Sequence, residues 1–143
     1  SLREFCLSGR PVYAECGGVM LLSQGIVTRE GSRYPMAGVL PGTCRMLDRF
    51  KSLGYAEVEL LDDCLWGKKG ERLRGHEFHY SELEMVPGAD GSGWDRVYKV
   101  FYRPPNQPVR EGYRLGNILA SYVHLHLASR PGCIAHLADG CRK

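Results

Sequence analysis

The sequence predicts an α/β fold, a sheet with parallel strands and covering helices that continues into antiparallel strands. Three observations predict it. Pro11 opens a short apolar run, Val12, Tyr13 and Ala14, which passes through Glu15, Cys16 and two glycines into Val19, Met20, Leu21 and Leu22, a strand feeding a helix. Segments between residues 43 and 114 alternate polar and apolar side chains between turns, as half-buried strands do. Residues 118–123 form a second buried-type strand, after which Ile134, Leu137, Ala138 and Cys141 recur at helical spacing.

Residues 1–8 read as the end of a helix, with Leu2, Phe5 and Cys6 on one side and Gly9 as its stop. A helix that feeds a parallel strand normally follows an earlier strand, so the chain is expected to be cut from a longer α/β domain. Residues 26–36 are turn and short strand, and residues 38–42 are a loop punctuated by Gly38, Pro41 and Gly42. Residues 43–49 and 54–61 are strands; in the second, Tyr55, Glu57 and Glu59 share one face, and Ala56, Val58 and Leu60 the other. Residues 67–70 make a charged turn, residues 74–83 a strand, and residues 87–93 an exposed loop. Residues 96–102 form a strand that Pro104-Pro105 ends, and residues 109–114 pair back. Pro131 sits near the start of the last helix.

The length of 143 residues suits one domain. A net charge of +3, with scattered basic residues, makes no stripe of the kind nucleic-acid binders use. No apolar run approaches a membrane span and no signal peptide is visible. The six cysteines form no CxxC pair and read as reduced thiols of a cytoplasmic protein.

Cys16 stands where strand gives way to helix, the arrangement of a nucleophile elbow. A helix N-terminus favours the thiolate, so its pKa is expected below that of a free thiol. The N–H of Gly17 can stabilise an oxyanion. Glu15 would oppose thiolate formation if turned inward, so it is expected to face away. The alternative for Cys16 is a small buried hydrophobe before a tight turn. A base is offered by Ala120-Ser121-Tyr122-Val123-His124-Leu125-His126, where His124 and His126 face the same way in extended chain, so that the second can orient the first. The alternative is a pair of structural histidines. In Arg74-Gly75-His76-Glu77-Phe78-His79-Tyr80-Ser81, a zinc site fails on spacing, since there is no HExxH and no thiolate pair. This stretch reads either as hydrogen-bonding groups for a small polar ligand or as the polar face of an ordinary strand.

These three motifs resemble those of the glutaminase domains of cobyrinic acid a,c-diamide synthases, in the class I (triad) glutamine amidotransferase superfamily, and Leu53-Gly54-Tyr55 fits the family's middle strand. The resemblance implies a flavodoxin-like three-layer domain, N-terminally truncated, occupying residues 1–143. It implies Cys16 as the nucleophile on the glutamine amide, His124 as general base and acid, Gly17 as an oxyanion donor, and His79, Tyr80 and Ser81 as groups holding glutamine. Relatives place a glutamate where this chain has His126. The triad is then a dyad, or its acid comes from elsewhere. The upstream strand, the glycine-rich oxyanion loop and an ATP- and magnesium-using synthetase domain that binds the corrinoid are expected outside this chain, which itself takes no cofactor. The implied activity is ammonia supply for amidation of the a and c carboxylates of cobyrinic or hydrogenobyrinic acid in cobalamin biosynthesis. The rivals are the glutaminase domains of cobyric acid synthase or a cell-wall precursor amidase, or a non-catalytic domain that keeps the fold.

Overall fold

The computed structural model describes residues 1–89, 93–103 and 107–142. Asp90 and Gly91 of the expected loop, and the Pro104-Pro105 stop, lie outside them. Helix α1, Leu2–Leu7, starts at a capping box in which Ser1 and Glu4 satisfy each other's backbone N–H groups. Strand β1, Val12–Glu15, runs into helix α2, Gly17–Leu22. Strands β2, Gly25–Val27, β3, Arg33–Pro35, and β4, Gly42–Met46, follow. The meander comprises β5, Ser52–Leu60, β6, Arg72–His79, β7, Ser81–Met85, β8, Asp95–Tyr102, and β9, Val109–Leu115. Then come β10, Ile118–Ser121, β11, His124–Leu125, a 3-10 turn at Leu127–Ser129 and helix α3, Gly132–Cys141.

Two sheets result. The larger has seven strands in the order β1-β10-β9-β8-β5-β6-β11, and the smaller has four in the order β3-β2-β4-β7. Parallel pairing is confined to β1 with β10 and β2 with β4 among the described residues, so the antiparallel part is larger than an extension. The expected strand over residues 74–83 is two strands in different sheets, because the chain leaves the large sheet at Tyr80, whose carbonyl accepts from Leu47 N–H at 2.7 Å. The expected strand over residues 118–123 ends at Ser121, and His124 resumes pairing on the far edge, opposite His76.

Strand β10 separates two cores and is buried along its whole length, as a strand covered on both faces must be. Ile118 and Ala120 pack with Ala14, Val19, Leu22, Cys44 and Tyr122. Leu119 packs on the opposite side with Val58, Leu73, Val97, Val100, Val123 and Leu125. Burying each such Val or Leu stabilises the fold by roughly 1.5–3 kcal/mol relative to exposure. Leu125 N–H on β11 donates to the carboxylate of Glu15 on β1 at 3.1 Å, so the two edge strands of the large sheet meet at one corner. All six cysteines are free. No helix among the described residues is long and apolar enough to cross a membrane.

Candidate active site

Cys16 occupies that corner. Its amide donates to the Ser121 carbonyl at 2.8 Å, extending the β1–β10 ladder by one bond before the chain turns into α2. The turn costs Cys16 an unfavourable backbone, φ 51° and ψ −104°, and no other non-glycine residue among those described has positive φ. Such strain is worth about 1–3 kcal/mol and persists where the surroundings impose it, typically at functional positions. Gly18 lets the helix sit close to the strand, since a Cβ there would stand 3.1 Å from that of Ala14. A Cβ on Gly17 would meet nothing within 4 Å, so what Gly17 contributes is its N–H, which bonds toward the thiol.

The neighbouring carboxylate is the main departure from the sequence expectation. Glu15 turns inward. His124 Nδ1 donates to its Oε1 at 3.0 Å, while Tyr13 Oη and Leu125 N donate to its Oε2 at 2.6 and 3.1 Å. Three donors compensate the cost of drawing the charge from water. A carboxylate accepts, so Nδ1 carries a proton, and Nε2 has no bond among the described residues. His124 and Glu15 side chains remain about one-third exposed, at 32% and 30%, so a substrate can reach them. The His76 ring stacks on His124, centroids 4.9 Å apart and planes 9° from parallel, and limits its rotation.

His126 does not join them. It is exposed, it precedes the 3-10 turn, and its backbone alone is engaged among the described residues, its amide donating to Arg74 O at 2.8 Å and its carbonyl accepting from Ser129 N–H at 2.8 Å. Strand β11 ends at Leu125 and the 3-10 turn opens at Leu127, and the carboxylate that the His124 ring meets is that of Glu15, a residue that sequence reasoning assigned to the opposite direction. Its signal was available in the string Glu15-Cys16, but its side-chain direction depends on β11, which reaches β1 only through the tertiary fold.

The Cys16 thiol lies 4.0 Å from the Phe78 carbonyl on β6. Burial pushes its pKa above the ordinary value, the Gly17 N–H pulls it down, and the carboxylates of Glu15 and Glu77 add to the rise. The expected lowering is thus reversed. Desolvation and two anions outweigh a helix of only six residues. The raised pKa favours the thiol form of Cys16.

His79, Tyr80 and Ser81 do not face one place. His79 and Ser81 are buried, whereas the Tyr80 ring packs on Phe50 at a centroid distance of 4.0 Å, on the other side of the chain. His79 Nε2 meets Glu77 Oε2 at 3.2 Å and its Nδ1 meets Ser81 O at 2.8 Å. The Ser81 carbonyl only accepts, so Nδ1 donates to it, and one proton bridges Nε2 and the Glu77 carboxyl. Burial alone would raise Glu77, but bonds from His79, Ser52 and Tyr102 hold its pKa below the ordinary value. Ser81 Oγ donates to Tyr122 Oη at 3.1 Å. His79 and Ser81 border a cavity of about 630 Å³ that also touches Glu77, Arg96 and Glu111 but neither Cys16 nor His124. No group of three or more metal-ligating side chains converges among the described residues.

Comparison with known proteins places this geometry. Residues 1–132 match the CobB/CobQ-like glutamine amidotransferase domain. The chain is 51% identical over 142 residues to a cobyrinate a,c-diamide synthase of Syntrophotalea carbinolica, covering 99% of this chain and 30% of that protein. It is 40% identical to the enzyme of that name from Caldanaerobacter subterraneus, over 98% of this chain and 30% of the relative, and 39% identical to that of Archaeoglobus fulgidus, over 88% and 26%. The chain thus spans about 30% of the length of these curated relatives. Among solved structures, a glutamine amidotransferase matches with a TM-score of 0.63 at 17% identity, over 99% of this chain and 67% of the other. A second, from Thermotoga maritima, matches with a TM-score of 0.54 at 18% identity, over 86% and 44%. At those identities the likeness shows the fold: an α/β domain of the glutamine amidotransferase kind. The chain belongs to the family of CobB/CobQ-like glutamine amidotransferase domains.

Proposed function

We propose that this domain hydrolyses glutamine and supplies ammonia to an ATP-dependent amidation of the a and c side-chain carboxylates of cobyrinic or hydrogenobyrinic acid, performed by the remainder of a longer protein. The observation that carries the glutaminase half is the Glu15 carboxylate on His124 Nδ1 beside a strained Cys16 elbow. His124 Nε2 takes the thiol proton as Sγ attacks the side-chain carbonyl of glutamine. The Gly17 N–H offers one contact to the oxyanion, and Glu15 stabilises the imidazolium that forms. The imidazolium then protonates the leaving nitrogen, giving ammonia and a glutamyl thioester. Water, deprotonated by the same Nε2, hydrolyses the thioester to glutamate and restores the thiol.

The relatives' name supports the corrinoid substrate, and the conformity of Gly75-His76-Glu77-Phe78-His79-Tyr80-Ser81 with their motif favours it over other amidases of the superfamily. ATP and magnesium are assigned to the remainder of the protein, as the resemblance to these synthases implies. A second oxyanion donor is assigned there too. Six free thiols suit a reducing compartment, and the domain is assigned to the cytoplasm. The test is glutamine-dependent amidation of hydrogenobyrinic acid by the full-length protein. Cys16→Ala should abolish it and leave amidation with free ammonia intact. Glutamine-dependent turnover by that variant overturns the nucleophile. Turnover of a cell-wall precursor in place of the corrinoid overturns the substrate.

A further inference from the structure

We propose that Glu111 and Ser121 form a positioning pair that sets Cys16 and His124 in register, an inference that rests on the glutaminase reading above. Neither residue touches the thiol or the imidazole. Ser121 is fully buried at the end of β10 and bonds in three directions. Its carbonyl accepts the Cys16 amide at 2.8 Å. Its hydroxyl accepts the amide of Val123, the residue before His124, at 3.0 Å. The same hydroxyl donates to Glu111 Oε2 at 2.5 Å. One residue, through its carbonyl and its hydroxyl, therefore ties together the backbones that carry Cys16 and His124.

Glu111 is what holds that hub. The β9–β10 ladder stops at the Tyr113–Ala120 pair. The next residue of β9, Gly112, has φ 73°, and a Cβ on it would lie 2.4 Å from the Tyr98 ring, so the backbone there turns in a way that only glycine permits. Beyond that turn the Glu111 side chain replaces the missing ladder bonds, accepting Tyr122 N–H at 2.8 Å together with the Ser121 hydroxyl. Glu111 is 6% exposed, and no basic side chain bonds to it among the described residues. A buried carboxylate without a cation is costly where an amide or apolar residue could end a ladder. Its geometric role is to fix the segment from Ser121 to Val123 from behind, because a misplacement of 1 Å at a reacting pair can cost about 10²-fold in rate.

The experiment compares Glu111→Gln, Ser121→Ala and the double variant in the full-length protein, with three readouts: glutamate release, the rate of Cys16 alkylation by iodoacetamide, and Tm. Glu111→Gln keeps the shape and an acceptor for Tyr122 N–H but presents an amide N–H₂ to Ser121, displacing the hydroxyl's donor role. The expected result is a fall of about tenfold or more in kcat with the glutamine KM within a few-fold, slower alkylation of Cys16, and no loss of Tm for Glu111→Gln, since a buried charge is removed. Ser121→Ala should slow catalysis comparably, and the double variant should lose little more than either single one. Unchanged kcat and alkylation in Glu111→Gln overturn the proposal, as do effects that multiply fully in the double variant. If Ser121→Ala fails to fold, Glu111→Gln decides alone. Absence of Cys16-dependent glutamate release in the unmodified protein would be a failure of the glutaminase reading, and alkylation would still decide whether Glu111 positions the thiol and its base.

Discussion

Among the described residues stand two glutamate–histidine pairs, and they differ in what is left uncommitted. In Glu77–His79 the side chains are 4% and 8% exposed, both ring nitrogens are spent, and the ring lies 4.1 Å from that of Tyr122 in a stack. In Glu15–His124 only Nδ1 is bound, and the pair sits half-open beside a strained cysteine. The first is locked in an interior network, and the second leaves one ring nitrogen open. The difference teaches that a histidine in a motif acquires a function by its unspent nitrogen and by its neighbour, rather than by the carboxylate alone.

The comparison breaks most sharply at the reactive corner. Replacing Cys16 or His124 by alanine should lower glutamine hydrolysis by on the order of 10⁶, read as glutamate release, with little loss of Tm. His79→Ala should invert that pattern. It leaves Glu77 buried without its His79 partner, costing about 3–5 kcal/mol in chemical denaturation, while the folded fraction keeps its kcat to within a few-fold. If His79→Ala were as inactive as His124→Ala but fully stable, the two pairs would be wrongly sorted.

Acid and base titrations sharpen it further. Glu77 has a depressed pKa in the folded state, so its stabilisation is present above the unfolded value and is lost as pH falls through the folded one. Glu111 behaves oppositely. Burial pushes it up to about 7 despite the bonds from Ser121 and Tyr122. Its contribution is present below the unfolded value of about 4.3 and is lost as pH rises toward 7, roughly 3 kcal/mol in all. Denaturation curves of Glu111→Gln should therefore gain on the unmodified protein by about that amount between pH 4 and pH 8. A pH-independent difference would contradict the buried-carboxylate assignment. The smallest effect expected is that of His76→Ala, which removes a stacked ring of about 0.5–1.5 kcal/mol and should lower kcat only a few-fold.

The sequence made local features legible and left their directions open. The Cys16 elbow was readable because strand, glycines and helix lie within a dozen neighbouring residues, and the strand β5 alternation survived intact from Ala56 to Leu60. The break at Tyr80 was not, since polar and apolar residues alternate through it while the backbone changes sheet. Glu15 was misdirected for a similar reason. Repulsion of a thiolate favours turning outward, but Leu125 N–H, Tyr13 Oη and His124 Nδ1 arrive together and outweigh it. His126 was drawn into the site by its two-residue spacing from His124, whereas the carboxylate that reaches the His124 ring comes from β1. The thiol pKa was argued from the helix terminus and a nearby imidazole, without the burial and the two carboxylates that fold around it.

The central claim is that Glu15, and not His126, orients His124. The measurement that tests it most directly is kcat and KM for glutamate release by Glu15→Gln and His126→Ala in the full-length protein. The account predicts that Glu15→Gln loses on the order of 10²–10⁴ in kcat, as a triad does when its acid can no longer hold the imidazolium, with KM changed a few-fold at most. It predicts that His126→Ala stays near the unmodified rate. An active Glu15→Gln beside an inactive His126→Ala would contradict it.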